Sequence, residues 1–186
     1  WKIPELGSKT CLEAAKTPLF DKLAPVSEVG LCKTVPDGFK PGSDVANMSV
    51  LGFNPADFYT GRSPLEAVSM GINLCPTDVT LRCNLVTLSE HEPYENKIMV
   101  DYSAGEITTG EAEELIKFID EKLGDERFRF YAGISYRHCL IIKDGTTGAT
   151  LTPPHDISDK PVAGRLPNGV NSNIYADLMK KSYELL

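Results

Sequence analysis

Apolar residues recur along this chain at two different spacings. Over residues 110–123, Ala112, Leu115, Ile116, Ile119 and Leu123 return at intervals of three and four, which predicts one face of an α-helix. Over 79–88 the interval is two. Val79, Leu81, Cys83 and Leu85 alternate with Thr80, Arg82 and Asn84, which predicts a strand with Arg82 on its polar face. Residues 97–102, 127–134 and 136–143 read as further strands, the last two joined near Gly133-Ile134-Ser135. A final helix is capped by Asn171 or Ser172 and carries Ile174, Leu178, Met179 and Tyr183. Strand, strand, helix, strand, strand predicts an α/β (α+β) unit over 73–170, a mostly antiparallel sheet with helices on one face.

Before residue 73 the signals are local. Thr10-Cys11-Leu12-Glu13 and Ser63-Pro64-Leu65-Glu66 both have the form of a capping box. Thr17-Pro18 opens a short helix bearing Leu19, Phe20 and Leu23. Residues 30–35 alternate enough to predict a short strand before the Pro36-Asp37-Gly38 turn. A helix follows over about 44–51, then a loop over 53–62. The helix opened at Ser63 runs to about Met70, where Gly71 stops it. Residues 150–169, with Pro153, Pro154, Pro161, Pro167 and Gly169, read as mostly irregular. The expected organisation is three-part: 1–72, a compact unit over 73–170, and 171–186 returning to the layer of the first segment.

Composition narrows the class. The 186 residues are 41% hydrophobic, enough for one domain or one domain with part of another. A net charge of −7 argues against a nucleic-acid-binding surface over the whole chain but permits a local basic pocket. The five cysteines are odd in number and form no CxxC pair, so neither a disulfide framework nor a zinc site is expected. Reduced thiols fit a cytoplasmic protein. No apolar run approaches a membrane span, and no signal peptide is expected. The absence of a starting Met, and of a C-cap signal at Tyr183-Glu184-Leu185-Leu186, suggests a piece of something longer.

Four groups of residues could carry chemistry. Lys40-Pro41-Gly42-Ser43 delivers a serine to a helix start, where free backbone N–H groups and the helix dipole favour an anion. Asn47 stands one turn on, and its amide could orient a phosphoryl oxygen. The plainer reading makes Ser43 an N-cap. Arg62 precedes the next helix start, either as an anion contact or as a solvated loop arginine. Arg82, Asp101, Arg137 and His138 lie on or beside strands, and adjacent strands could gather them around a phosphorylated hydroxy acid. Cross-strand ion pairing on a solvated face is the alternative. Last, His155-Asp156 follows Pro153-Pro154, as an acid/base or metal pair or as an ordered loop histidine. No Walker loop, GxGxxG, GxSxG or HExxH occurs.

In combination these segments are recognisable. Pro4-Glu5-Leu6-Gly7-Ser8-Lys9-Thr10, Glu13-Ala14-Ala15-Lys16-Thr17-Pro18, Gly42-Ser43-Asp44-Val45-Ala46-Asn47-Met48-Ser49 and Tyr59-Thr60-Gly61-Arg62-Ser63-Pro64-Leu65-Glu66-Ala67 resemble cofactor-independent phosphoglycerate mutases of the archaeal type. That family lies within the alkaline phosphatase superfamily. Arg82-Cys83-Asn84, Asp101-Tyr102-Ser103-Ala104-Gly105, Arg137-His138 and Pro154-His155-Asp156 resemble its inserted domain. The resemblance implies a phosphatase-like core over 1–72, a substrate-covering insertion over 73–170 and a helix returning to the core over 171–186.

It further implies a glycolytic isomerase that interconverts 3-phosphoglycerate and 2-phosphoglycerate through a phosphoserine. Ser43 is then nucleophile and metal ligand, with two divalent cations (Mn, Mg or Zn) in the parent enzyme. Asn47, Arg62, Arg82, Asp101, Arg137, His138, His155 and Asp156 are the substrate contacts it implies. The expected partner is a small phosphorylated hydroxy acid, with no nucleic acid or membrane. The family's Asp-Gly metal-binding segment would stand just before Trp1, and its further Asp and His ligands beyond residue 186. The resemblance therefore reads this chain as an internal fragment, inactive alone and without a complete metal site. Tyr102 departs from the basic residue common in the family. Another phosphomutase, a phosphatase, a phosphonate-processing enzyme or a non-catalytic ligand-binding module remain alternatives, because fold does not fix substrate.

Overall fold

Local capping signals set the first elements of the chain. In the computed structural model, which describes residues 1–186, the Thr10 hydroxyl accepts from the Glu13 N–H at 3.1 Å and Glu13 Oε2 accepts from the Thr10 N–H at 2.8 Å. This box starts helix α1 (Cys11–Ala14). Pro18 at the first helical position opens α2 (Pro18–Leu23), although Thr17 makes no capping bond to the backbone. Helices α3 (Ser43–Val50) and α4 (Pro55–Phe58) follow. Pro55–Phe58 corrects the loop expected over 53–62. The strand expected over 30–35 does not form: these residues take no regular structure, and no neighbouring strand offers them a ladder.

The chain divides into two compact units, Trp1–Phe58 and Tyr59–Leu186. The boundary expected at 72/73 therefore falls inside the second unit, because α5 (Arg62–Ser69) packs on that unit's sheet. The sheet has strands β1 (Val79–Asn84), β4 (Phe128–Tyr131) and β5 (Arg137–Ile142) in the order β1-β5-β4, antiparallel throughout. A second pair joins β2 (Thr87–Leu88) to β3 (Met99–Asp101), and a third joins β6 (Ala149–Thr150) to β7 (Asn168–Gly169). Helix α6 (Thr109–Leu123) stands between β3 and β4 in the chain, and α7 (Ser172–Leu185) ends it. The mixed α/β class with antiparallel sheets is as the alternation predicts.

Strand β5 is buried on both faces, and its alternate residues organise the core. Cys139 and Ile141 pack with Ala67 of α5, joined by Met70, Ile72 and Leu74. Leu140 and Ile142 point the other way, onto Tyr175 and Leu178 of α7, with Val79, Leu81, Cys83, Phe128 and Phe130 around them. Helices thus cover both faces of the sheet. A third cluster, Met99, Ile157 and Val162, seats β3 and the short helical turn Pro154–Ile157.

Helix α6 is fixed by a second capping box, Thr108 with Glu111, and buries Ala112, Ile116 and Ile119. From its last turn Asp120 accepts from the Phe130 N–H at 2.8 Å and from Arg129, tying helix to β4. Lys97 is wholly buried. Its ammonium donates to Glu92 at 2.6 Å and lies 4.3 Å from the Tyr183 ring centre, which pulls the loop before β3 onto α7.

Candidate functional site

The candidate residues fall in the two units, and each group is described within its own. In the first unit the N-cap of α3 is Gly42, in extended conformation, and its carbonyl accepts from the Ala46 N–H at 3.0 Å. Ser43 is the first helical residue. This corrects the capping alternative: the Ser43 hydroxyl does not cap the helix. It stands exposed at a helix start whose backbone N–H groups have no intrahelical acceptor. Glycine at 42 also makes room, since a Cβ there would collide with the Asp44 carboxylate. Asn47 is exposed one turn along, as the spacing predicts.

In the second unit the helix expected to be capped by Ser63 starts two residues earlier, at Arg62, capped by Gly61 at φ 140, which favours glycine. No capping box forms. Ser63 instead lies 3.7 Å from the Cys139 sulfur, and Glu66 turns to two arginines. Arg62 Nε donates to Glu66 Oε1 at 3.1 Å, while Arg82 Nε lies 3.7 Å from Oε2. Arg82 reaches this position from β1, opposite Cys139 and so on the face of the sheet that α5 covers. Asn84 and Arg137 pair across the same face one pleat further on.

Beyond Arg137 runs a row of rings. The Arg137 guanidinium lies 5.5 Å from the Tyr136 ring, Tyr136 meets Tyr102 edge-on at 5.9 Å, and Tyr102 meets His155 at 6.2 Å. His155 Nε2 lies 3.5 Å from Asp156 Oδ1, both side chains being well exposed. The surface can present guanidinium and imidazole N–H donors to an anion. Motif reading passed over Tyr136 and gave Glu66 and Tyr102 no part in this group. The i,i+4 spacing of Arg62 and Glu66 on a helix was the one signal that could have placed Glu66.

Two expected members do not join this group. Asp101 is on β3, in the other sheet, and closes its own turn: Oδ1 accepts from the N–H and hydroxyl of Ser103, and Oδ2 from the Gly105 N–H at 2.6 Å. Those donors, the Ser103 N–H first, hold its carboxyl below the usual range. His138 points to the opposite face of β5 from Arg137 and is 3% exposed. Its Nδ1 accepts from the Gly133 N–H at 3.1 Å, and its Nε2 is buried without a partner. Burial pushes its pKa down to about 4, so it is neutral at physiological pH and offers no charge to a ligand. Period two explains both outcomes. Neighbours on a strand face apart, and strands of different sheets do not share a face.

An apolar cavity of about 230 Å³ lies on the α7 side of the sheet, against Leu81, Cys83, Phe130, Leu140, Tyr175 and Leu178. Its walls are chiefly apolar, although Arg82 and Arg165 also line it. No three His, Cys, Asp or Glu side chains converge as a metal site. Ser43 with Asp44 and Asn47 on one short helix does not make up the ligand set that two cations need.

A sequence profile of the 2,3-bisphosphoglycerate-independent phosphoglycerate mutases matches residues 24–186. The chain belongs to this family. A family protein from Methanosarcina barkeri is 50% identical over 187 residues, covering 100% of this chain and 46% of its own length. A probable mutase from Geobacter sulfurreducens is 47% identical over 182 residues, 98% of this chain and 45% of its own length. The chain thus spans about half the length of these relatives. Among solved structures, the cofactor-independent mutase of Thermoplasma acidophilum superposes over the whole chain and 49% of its own, with a TM-score of 0.57 at 24% identity. A Pyrococcus horikoshii protein superposes with a TM-score of 0.59 at 27% identity, over 77% of this chain and 34% of its own. No helix here is long and apolar enough to cross a membrane.

Proposed function

We propose that this chain is the part of a phosphoglycerate mutase that carries the phosphoryl-accepting serine and much of the substrate-contacting surface. The observation that carries the reading is Ser43, whose hydroxyl is exposed at the first residue of α3 and is not used to cap it. The reaction is two transfers. Ser43 Oγ loses its proton and forms an O–P bond as the bond from phosphorus to O3 of glycerate breaks, the leaving oxygen taking up a proton. The glycerate turns, and O2 loses its proton and bonds to phosphorus as the Oγ–P bond breaks and Oγ takes up a proton. Splitting one displacement into two is nucleophilic catalysis. In this reading the N–H groups at the start of α3 and the Asn47 amide hold phosphoryl oxygens.

Arg62, Arg82 and Arg137, with His155 and Asp156, are the proposed contacts to phosphate, carboxylate and hydroxyl of the substrate. Asp101 and His138 take no such role here, since one is engaged in its own turn and the other is buried. Metal dependence belongs to the proposal for the whole protein. Ser43 is one ligand of a set that this chain does not group, and no step above is routed through a metal. Accordingly the 186-residue chain is expected to lack turnover by itself. A cytoplasmic, glycolytic setting follows from the same reading.

The test is mass spectrometry of the whole protein incubated with 3-phosphoglycerate. Phosphate on the Ser43 peptide together with 2-phosphoglycerate is the expected result, and Ser43→Ala should lower turnover about a thousandfold or more. Phosphate release without isomerisation would make the protein a phosphatase. Full activity of Ser43→Ala would reduce the serine to a surface residue.

A further inference from the structure

Glu66 stands between two arginines from different elements. Arg62 is one turn before it on α5, and Arg82 comes from β1. Each carboxylate oxygen faces one Nε, at 3.1 and 3.7 Å. Its backbone is held in place, because the next residue, Ala67, is completely buried against Cys139 and Ile141 of β5. An arginine carries donors on two edges, and engaging Nε on one side leaves Nη groups to serve a second anion. Arg82 needs such help most, since its Nε is buried with no hydrogen-bond partner and at 3.7 Å only the Coulomb attraction of Glu66 orients it. The cluster of two guanidinium groups and one carboxylate keeps a net positive charge.

We propose that Glu66 is a positioning residue that aims Arg62 and Arg82 together at the phosphate of a phosphorylated hydroxy acid. The proposal rests on the reading above that these arginines contact substrate. It has a signature that charge alone does not. Glu66→Gln removes a negative charge beside the site, so simple attraction predicts tighter binding of any anion. Loss of aim predicts weaker binding.

The experiment is an NMR titration of the 186-residue chain with 3-phosphoglycerate, sensitive into the millimolar range, alongside thermal unfolding. Glu66→Gln should bind about tenfold more weakly with an unchanged melting temperature. Added to Arg82→Ala it should cost less than it does alone, because the arginine that depends on it most is no longer there to be aimed. Glu66→Asp, whose shorter arm reaches one arginine, should fall between and serves if the glutamine variant does not fold. Unchanged or tighter binding by Glu66→Gln, or full additivity with Arg82→Ala, overturns the role of Glu66 and leaves the arginines as contacts. Failure of the wild-type chain to bind removes the arginine site and the proposal together.

Discussion

Of the first 58 residues only Val45 and Pro55 are buried, whereas β5 alone buries five of its six. The first unit leaves Leu12, Leu19, Phe20, Leu31 and Phe53 more than half exposed. Its helices are short and started by local devices: a capping box, a proline, a glycine. The second unit has three apolar clusters, two of them built on alternate residues of one strand. Local signals suffice to begin a helix, while a core requires residues distant in sequence to meet. The proposed nucleophile is in the thinly packed unit and the arginine group in the well-packed one.

Core truncation should divide the units most sharply. Ile142→Ala, at a site 1% exposed, should cost about 2–5 kcal/mol in chemical denaturation of the chain. Phe20→Ala, at a site 73% exposed, should change it by less than about 0.5 kcal/mol. A comparable loss at Phe20 would mean that the first unit has a cooperative core after all.

Acid should act next, through the second unit. His138 is neutral when folded, with a pKa pushed down to about 4, and has an ordinary histidine pKa when unfolded. Above about pH 6.5 both states are neutral and the full stability is present. As pH falls from there toward 4, the unfolded state gains a proton that the folded state refuses. Stability should therefore decline by on the order of 3 kcal/mol across that window. His138→Asn, which keeps an acceptor for the Gly133 N–H, should flatten the decline, and an unchanged slope would place its cause elsewhere.

The two capping boxes give the finest comparison. Thr108→Ala, at the head of the fifteen-residue α6, should cost about 1 kcal/mol. Thr10→Ala, at the head of the four-residue α1, should be lost in the noise of the same unfolding curve, since so short a helix adds little to a global transition. Equal effects would contradict the contrast between the units.

The same contrast explains what the sequence made legible. Helix α6 was readable to within a residue from its apolar period alone, and the capping box at Thr108 starts it where that period begins. Strand β1 was readable from alternation and β5 from its short apolar run, but their adjacency was not, and neither was the break after Asn84 that sends Thr87–Leu88 to a different partner. The 30–35 segment alternates like a strand and lacks a neighbour to pair with. At the candidate site Ser43 was legible from its turn and from family resemblance. The grouping of Asp101 and His138 with the arginines was not, because it depended on sheet membership and strand face. Glu66 was mistaken for a capping partner because the Ser63 spacing fits that role too, and glycine at 61 decided the matter by starting the helix earlier.

The cysteines turn this anatomy into a reporter. Cys11, Cys32 and Cys75 are exposed, while Cys83 is half-buried and Cys139 fully so. Desolvation pushes the Cys83 thiol up to about 12 and raises Cys139 as well, leaving almost no thiolate at either. An alkylating reagent at neutral pH thus meets three reactive thiols and two silent ones. The silent pair straddles the β1–β5 ladder, one on each face, so the moment they react dates the opening of the sheet on an unmodified chain.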